Sequence, residues 1–213
     1  DSLAAENIEA VATGCANLNR HIKNLSQFKV PIIVAINRFT LDTPAEIDII
    51  REHCKSLGVQ VFECTHWADG SAGAEELAKH VVEFASRGES EFEPLYENTL
   101  PLWKKIERVA TKLYGASEII ADQKVRSQIK ELQADYGHFP VCMAKTQYSF
   151  STDPNLRGAP SGHSVPIREV RLAKGAEFIV IVCGDIMTMP GLPRKPAANA
   201  IHLNEKGEVE GLF

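Results

Sequence analysis

Two short runs of Val and Ile, each followed by a helical stretch, constrain this chain more than any other feature. "KVPIIVAIN" (Lys29–Asn37) is continuously apolar with no polar alternation, the pattern of a strand buried on both faces. "DTPAEIDIIREHCKSLG" follows it, where Thr43 can cap a helix, Pro44 fits its first position and Glu46 completes a capping box. Gly58 supplies a left-handed stop. "VQVFEC" (Val59–Cys64) then reads as a second strand, and "AEELAKHVVEFASRG" as a helix ending at Gly88. Strand, helix, strand, helix with short links gives parallel neighbours joined by a right-handed crossover. The fold class expected is α/β, with a doubly wound, mostly parallel sheet.

The flanking segments extend this plan. Ala5, Ile8, Ala12, Cys15, Leu18, Ile22 and Leu25 fall near a helical spacing and predict a first helix. The chain opens at Asp1 almost inside that helix, with neither an initiator methionine nor signal-peptide character, so a piece of a longer protein is expected. "NTLPLWKKIERVATKLYG" and "ADQKVRSQIKELQADYG" read as two helices closed by Gly115 and Gly137, together a helical excursion. "FPVCMAKTQ", "IREVRL" and "EFIVIVCGDI" read as strands of a smaller C-terminal α/β subdomain. Between the first two of these strands lies "SFSTDPNLRGAPSGHSVP", a long loop of the kind that is usually functional or disordered. The expected division is 1–92, 93–139 and 140–213.

Composition bears on partners. Of the 213 residues 44% are hydrophobic and 24% charged, with a net charge of −5, the balance of a globular chain with a core. There is no basic run of the sort that nucleic acid attracts and no apolar stretch long enough to cross a bilayer. The five cysteines are scattered without a CxxC pair and read as reduced core thiols, with no metal site expected.

Ligands of open parallel sheets bind beyond the carboxyl ends of the strands. The first strand ends at "INRF" and the second at "CTHW", which puts Phe39 and Trp67 on that edge together. Two facing rings suit a flat aromatic ligand such as a purine or a pterin, although each ring alone can equally plug the top of the sheet. Asn37, Arg38, Asp42, Thr43, His66, Asp69 and Ser71 crowd the same edge. Asn37 with a carboxylate can read a base edge, while Asp42 and Thr43 also suit plain helix capping. Lys145, after a strand, can meet a phosphate or a carboxylate, or stand as an ordinary surface lysine. Arg157 and His163 lie in the long loop, whose "PSGH" can bring backbone amides close to a nucleotide or form a surface turn. No GxxxxGK[ST], GxGxxG or HExxH appears, so any phosphate grip lies outside these residues.

"VPIIVAINRFTLDT", "HWADGSAGAEELA", "AKTQYSFS", "GAPSGHSVPIREVRLAKGAEFIV" and "CGDIMTMPGLPRKPAAN", with a final "GLF", resemble the C-terminal part of the formate–tetrahydrofolate ligase (10-formyltetrahydrofolate synthetase) family. The likeness runs over essentially the whole chain, and the wording of its motifs leans toward the synthetase module of C1-tetrahydrofolate synthases. It implies part of a P-loop NTPase-like fold and an ATP-dependent ligase of one-carbon metabolism, with Mg2+ and a monovalent cation (K+ or NH4+), that formylates tetrahydrofolate through formyl phosphate. By resemblance, Phe39 and Trp67 match the aromatic pair around the pterin, Asn37 and Asp42 lie beside the folate pocket, and Pro160, Ser161 and Gly162 line the adenine. Asp69 and Ser71 depart from the lysine-and-glycine loop usual there, which puts that lysine's contact in doubt. The family's phosphate loop lies upstream of these residues, so the chain alone is expected to be inactive and to need the N-terminal half of the same enzyme. A homo-oligomer in the cytoplasm is expected, with the mitochondrial matrix as the alternative. Two other readings stay open: a non-catalytic nucleotide- or pterin-binding module, and a partner-binding α/β domain using both rings as a patch.

Overall fold

The computed structural model describes residues 5–88, 90–186 and 193–211, so "MTMPGL" and the closing "LF" lie outside the described residues. Helix α1 (Ile8–Ser26) starts where Asn7 caps it, its side chain accepting the Ala10 N–H at 2.9 Å. Cys15 and Ile22 are its buried residues, and it packs along α2 (Pro44–Ser56). Strands β1 (Ile33–Asn37) and β2 (Gln60–Cys64) run parallel, with Ile33 opposite Gln60 and Asn37 opposite Cys64. The crossover between them is α2. Its capping box is complete, since Thr43 and Glu46 each accept the other's backbone N–H (3.3 and 3.1 Å). The Glu46 carboxylate also accepts the Asn7 N–H at 2.8 Å, tying the start of α1 to the start of α2.

After β2 come a short helix α3 (His66–Asp69), a 3-10 turn over Gly70–Ala74, and α4 (Glu75–Arg87), which ends at Gly88 in the left-handed region. The loop expected after Trp67 is therefore largely helical.

The second sheet carries the main core. It holds β3 (Glu118–Ala121), β4 (Val141–Ala144), β5 (Ser164–Ala173) and β6 (Phe178–Cys183) in the order β3-β5-β6-β4. The outer pairs are parallel and the central β5–β6 pair is antiparallel, with a bulge between Ile167 and Glu169. Helices α5 (Leu102–Lys112) and α6 (Gln123–Tyr136) cover it, burying Leu102, Ile106, Ile119, Ile129, Val165, Ile179 and Ile181 in one cluster. Lys105 is wholly buried in α5, and its ammonium donates to the carbonyls of Gly137 and Phe139, both at 2.8 Å, closing the end of α6. A short hairpin, β7 (His202–Leu203) with β8 (Val209–Glu210), follows.

The described strands agree with an α/β chain that has a separate C-terminal sheet: β1 and β2 are a parallel pair, β7 and β8 a hairpin, and the four-stranded sheet is mixed, because β5 and β6 are joined by a tight turn that makes them antiparallel. Three expectations change. The helical excursion over 93–139 contains β3, and its helices share a core with the C-terminal strands. Only four residues long, β3 shows too little alternation to be seen in sequence. Strand β5 begins at Ser164, inside the long loop as read from sequence, because Ser164 and Val165 pair with Glu118 and Ile119. Among the cysteines, Cys142 is exposed on β4, while Cys15, Cys54, Cys64 and Cys183 are buried as free thiols.

Candidate functional site

Both rings at the sheet edge are fixed by short-range hydrogen bonds. The ladder runs one residue beyond β1, with the Arg38 N–H donating to the Cys64 carbonyl at 3.0 Å. The chain then turns at once. The Phe39 N–H donates to the Asp42 carboxylate at 2.7 Å, and the Asp42 N–H returns to the Phe39 carbonyl at 3.1 Å. On the other strand, Thr65 N–H donates to the Gly73 carbonyl at 3.0 Å, and Thr65 O accepts from Ala68 and Asp69, both at 2.9 Å. That closure carries Trp67 on α3. It requires glycine at 73, since a Cβ there would lie 2.5 Å from the backbone of both Thr65 and His66.

The two rings therefore meet. Their centroids are 5.8 Å apart and their planes are inclined by 60°. Phe39 is 50% exposed and Trp67 66%, so neither ring is a plug for the core. A flat ligand between two parallel rings needs two van der Waals gaps of about 3.5 Å, roughly 7 Å in all. The pair is thus a jaw that must open slightly and swing toward parallel to take a ring between its faces. Behind it, Glu63 accepts from Arg38 and Arg51, both at 2.5 Å, and Arg51 also pairs with Asp48. Asn37 is exposed at the end of β1 and lines a hollow of about 200 Å3 with Leu41, Asp42 and Glu46.

The loop holding Pro160, Ser161 and Gly162 lies elsewhere and is held by other means. A polar stripe on α1 donates to main-chain carbonyls: Asn17 to Gly158 (2.8 Å), Asn24 to Leu113 (2.8 Å) and Gln27 to Lys112 (3.2 Å). Arg20 reaches the carbonyls of Tyr114, Ala159 and Pro160 at 3.2 to 3.4 Å. Gly162 N–H donates to the Gly115 carbonyl at 2.8 Å, and Ser117 Oγ donates to the Gly162 carbonyl at 3.1 Å. Gly158 and Gly162 have φ of +75° and +74°, the left-handed region that favours glycine.

Beside this loop a hollow of about 670 Å3 is lined by His21, Tyr114, Lys145, Tyr148, Phe150 and Arg157, among others. Burial pushes the Tyr114 hydroxyl up to about 12 and holds the Lys145 ammonium below its usual range. His21 is also lowered, by burial first and then by Lys145.

Among the residues read from sequence, Phe39 and Trp67 are in contact, Asp42 holds the turn at Phe39, and Asn37 adjoins them. Pro160, Ser161 and Gly162 form a separate group, and no hydrogen bond, ion pair or ring contact among the described residues joins it to the rings. Helix α1 holds the loop through Asn17 and Arg20, while its N-cap Asn7 donates to Glu46 at the start of α2. Sequence reasoning missed Asn17, Arg20 and Gly73. The signal for the first two was the spacing of Asn17, Arg20, Asn24 and Gln27 along one helix face. Among the described residues there is no group of three or more His, Cys, Asp or Glu side chains that could hold a metal ion. No described helix is long and apolar enough to cross a membrane.

The sequence matches the family profile described as formate–tetrahydrofolate ligase over residues 1–213. It is 59% identical to the formate–tetrahydrofolate ligase of Sinorhizobium fredii (strain NBRC 101917 / NGR234), over 100% of this chain and 38% of that protein. It is 60% identical to that of Ruegeria sp. (strain TM1040), over 99% of this chain and 38% of that protein. The protein of the same name from Pelagibacter ubique (strain HTCC1062) is 55% identical, with 38% of its length covered. The chain thus spans 38% of the length of these curated relatives. All three are bacterial and lend no support to a mitochondrial location or to a C1-tetrahydrofolate synthase origin.

Proposed function

The chain belongs to the formate–tetrahydrofolate ligase family, and on that premise we propose that it supplies the folate-holding surface of an ATP-dependent ligase that makes 10-formyltetrahydrofolate. The observation that carries this reading is the exposed Phe39–Trp67 jaw at the carboxyl ends of two parallel strands. Exposing two large rings forfeits burial at roughly 25 cal/mol per Å2 of apolar surface. A pterin closing on them recovers that loss and has its plane fixed by stacking.

In this reaction the N10 amine attacks the formyl carbon of formyl phosphate. A C–N bond forms, the C–O bond to phosphate breaks, phosphate leaves and the amine proton is lost. Formyl phosphate is already activated, so orientation of the amine against it supplies much of the rate. Phe39 and Trp67 provide that orientation. Asp42 is a positioning residue, because its carboxylate is taken up by the Phe39 N–H, and Asn37 borders the same pocket. Pro160, Ser161 and Gly162 line the adenine of ATP. The phosphates, Mg2+ and the monovalent cation (K+ or NH4+) are held by the remainder of the longer enzyme, which is a cytoplasmic homo-oligomer.

A two-stranded sheet is marginal alone, so β1 and β2 belong to a larger, mostly parallel sheet of a P-loop NTPase-like fold. Residues 1–92 are part of that domain. In the remainder, the helices of 93–139 cover the strands of 140–213.

The test is Trp67→Ala in the full-length enzyme. Stacking on an aromatic side chain is worth about 1–3 kcal/mol per ring, so folate affinity should fall roughly tenfold to a hundredfold while ATP affinity holds. An unchanged folate constant with intact folding would sink this reading.

A further inference from the structure

His163 closes the long loop just before β5, and it takes no part in the ring pair. Its backbone is fixed. The His163 carbonyl accepts the Ser117 N–H at 2.9 Å, and the adjacent Gly162 N–H donates to the Gly115 carbonyl at 2.8 Å. Its side chain is held differently. Both ring nitrogens are buried, and neither has a hydrogen-bond partner among the described residues. A neutral imidazole leaves one donor and one acceptor unsatisfied there, whereas an imidazolium brings a charge and two donors to the same place. Burying an unpaired charge is much the costlier of the two.

The charged groups around His163 raise that cost. The Arg20 guanidinium lies 5.4 Å from the centre of the Phe150 ring, and the Lys145 ammonium 6.0 Å from the same centre. His21 joins them from α1, its ring 4.8 Å from that of Phe150, and Arg157 lines the adjoining hollow from the loop itself. No anion balances them. No aspartate or glutamate lines that hollow, and Asp153 of the same loop is exposed, its carboxylate taken up by the Asn155 N–H at 2.9 Å. Tyr114 and Cys183 are both pushed up to about 12 by burial, so they stay neutral. Burial holds the His163 imidazole below its ordinary value of 6.5. The Phe150 backbone, short of hydrogen-bond geometry, pulls the other way, and Lys145 and then Arg20 push it lower again. His21 is lowered too, by burial and then by Lys145.

Arg20 also seats the loop, by donating to the carbonyls of Ala159 (3.3 Å) and Pro160 (3.4 Å). A proton on His163 therefore sets a positive charge against the side chain that holds the loop in place. We propose that His163 is an acid-sensitive latch: neutral, it lets the 157–163 loop sit on α1, and protonated, it drives the loop off α1 into water. A consequence for the ligand rests on the reading that Pro160, Ser161 and Gly162 line the adenine. On that reading the latch regulates the nucleotide side alone, since Phe39 and Trp67 are held by their own turns.

Opening returns His163 to its ordinary value of 6.5, so the open form takes up a proton that the closed form refuses. Closure is at full strength above pH 6.5 and weakens as pH falls toward the lower value of the closed form. One proton makes opening up to about tenfold easier for each pH unit, in a window above about pH 5 where carboxylates keep their charge.

The test is hydrogen exchange of the full-length enzyme, read by mass spectrometry in peptides carrying the Gly162 and Ser117 amides. Corrected for intrinsic exchange chemistry, both should exchange roughly threefold to tenfold faster for each pH unit below 6.5. His163→Gln, uncharged at every pH, should remove that slope. Lys145→Gln should leave a smaller total rise, because His163 is then less depressed and the closed form accepts the proton sooner. Melting curves at pH 8 show whether each variant folds. A flat wild-type profile overturns the latch, and so does an unchanged slope in a folded His163→Gln. If that variant does not fold, an undiminished rise in Lys145→Gln overturns it instead. Titration with ADP at neutral and at acid pH then separates the two ideas. Acid-weakened binding that His163→Gln abolishes carries the latch to the nucleotide side, whereas unchanged binding with the exchange slope intact puts the fault in the adenine reading.

Discussion

Phe39 and Trp67 are set by partners within a few residues in the chain, Asp42 for the one and the Thr65–Gly73 closure for the other. The 157–163 loop is set instead by Asn17 and Arg20, whose partners lie 139 to 141 residues away. In the first region side chains are displayed and the backbone is folded back to hold them. In the second the backbone is placed by distant side chains, and its carbonyls are consumed in doing so. The difference teaches where each region is vulnerable. The jaw fails when its own turns fail, whereas the loop fails when α1 lets go.

The largest effect is expected at Gly73. Gly73→Ala puts a methyl 2.5 Å from the backbone of Thr65 and His66, neither of which is a flexible side-chain end. Overpacking of this kind costs about 1–3 kcal/mol, and the displaced α3 should take Trp67 with it. Folate affinity should collapse while ADP affinity stays, as titration of both ligands alongside a melting curve would record. Equal loss of both would mean that the two regions are not separable.

Next comes Arg20→Ala, which frees three carbonyls at once. Hydrogen bonds to charged groups are worth about 1.5–3 kcal/mol when buried, and partial exposure here argues for the lower end in total. The expected result is a lower melting temperature and a raised Michaelis constant for ATP, with that for folate hardly moved. Arg20→Lys should not rescue, since a single ammonium cannot span the three acceptors.

Smaller still is Gly162→Val. At φ +74° any side chain is strained by about 1–2 kcal/mol, although a Cβ there meets nothing within 4 Å. The Michaelis constant for ATP should rise and the folate constant should not. A folate-only defect would place this loop at the wrong ligand.

The smallest effect is a pH dependence where the start of α1 meets the start of α2. The N–H groups of Asn7 and Thr43 hold the Glu46 carboxyl below its ordinary value of 4.5. A carboxyl lowered on folding stabilises above its unfolded pKa, and the contribution is lost as pH falls through the folded value. Melting curves of wild type and Glu46→Gln should therefore differ above pH 4.5 and converge below it. A gap that persists in acid would assign the effect to packing.

Much of the first region was legible before any coordinates. Thr43, Pro44 and Glu46 announce the capping box, and the Val/Ile runs announce β1 and β2, because these signals act over three or four residues. The same locality put Phe39 and Trp67 at adjacent strand ends. Strand β3 was not legible, being four residues whose strand character comes from pairing with Ser164–Ile167. The mixed order β3-β5-β6-β4 was hidden for the same reason, since hydrogen bonding between strands far apart in sequence leaves no periodic trace in either.

By itself, then, the sequence determined the element types, the capped crossover between β1 and β2, and the family to which the chain belongs. Only the tertiary structure decided that the two rings meet at 5.8 Å, that Asp42 spends its carboxylate on Phe39, and that three basic side chains share a hollow with no acid. The physical reason is range. Caps, turns and apolar periodicity are written in neighbouring residues, while ring contacts and uncompensated charge depend on where separate segments come to rest.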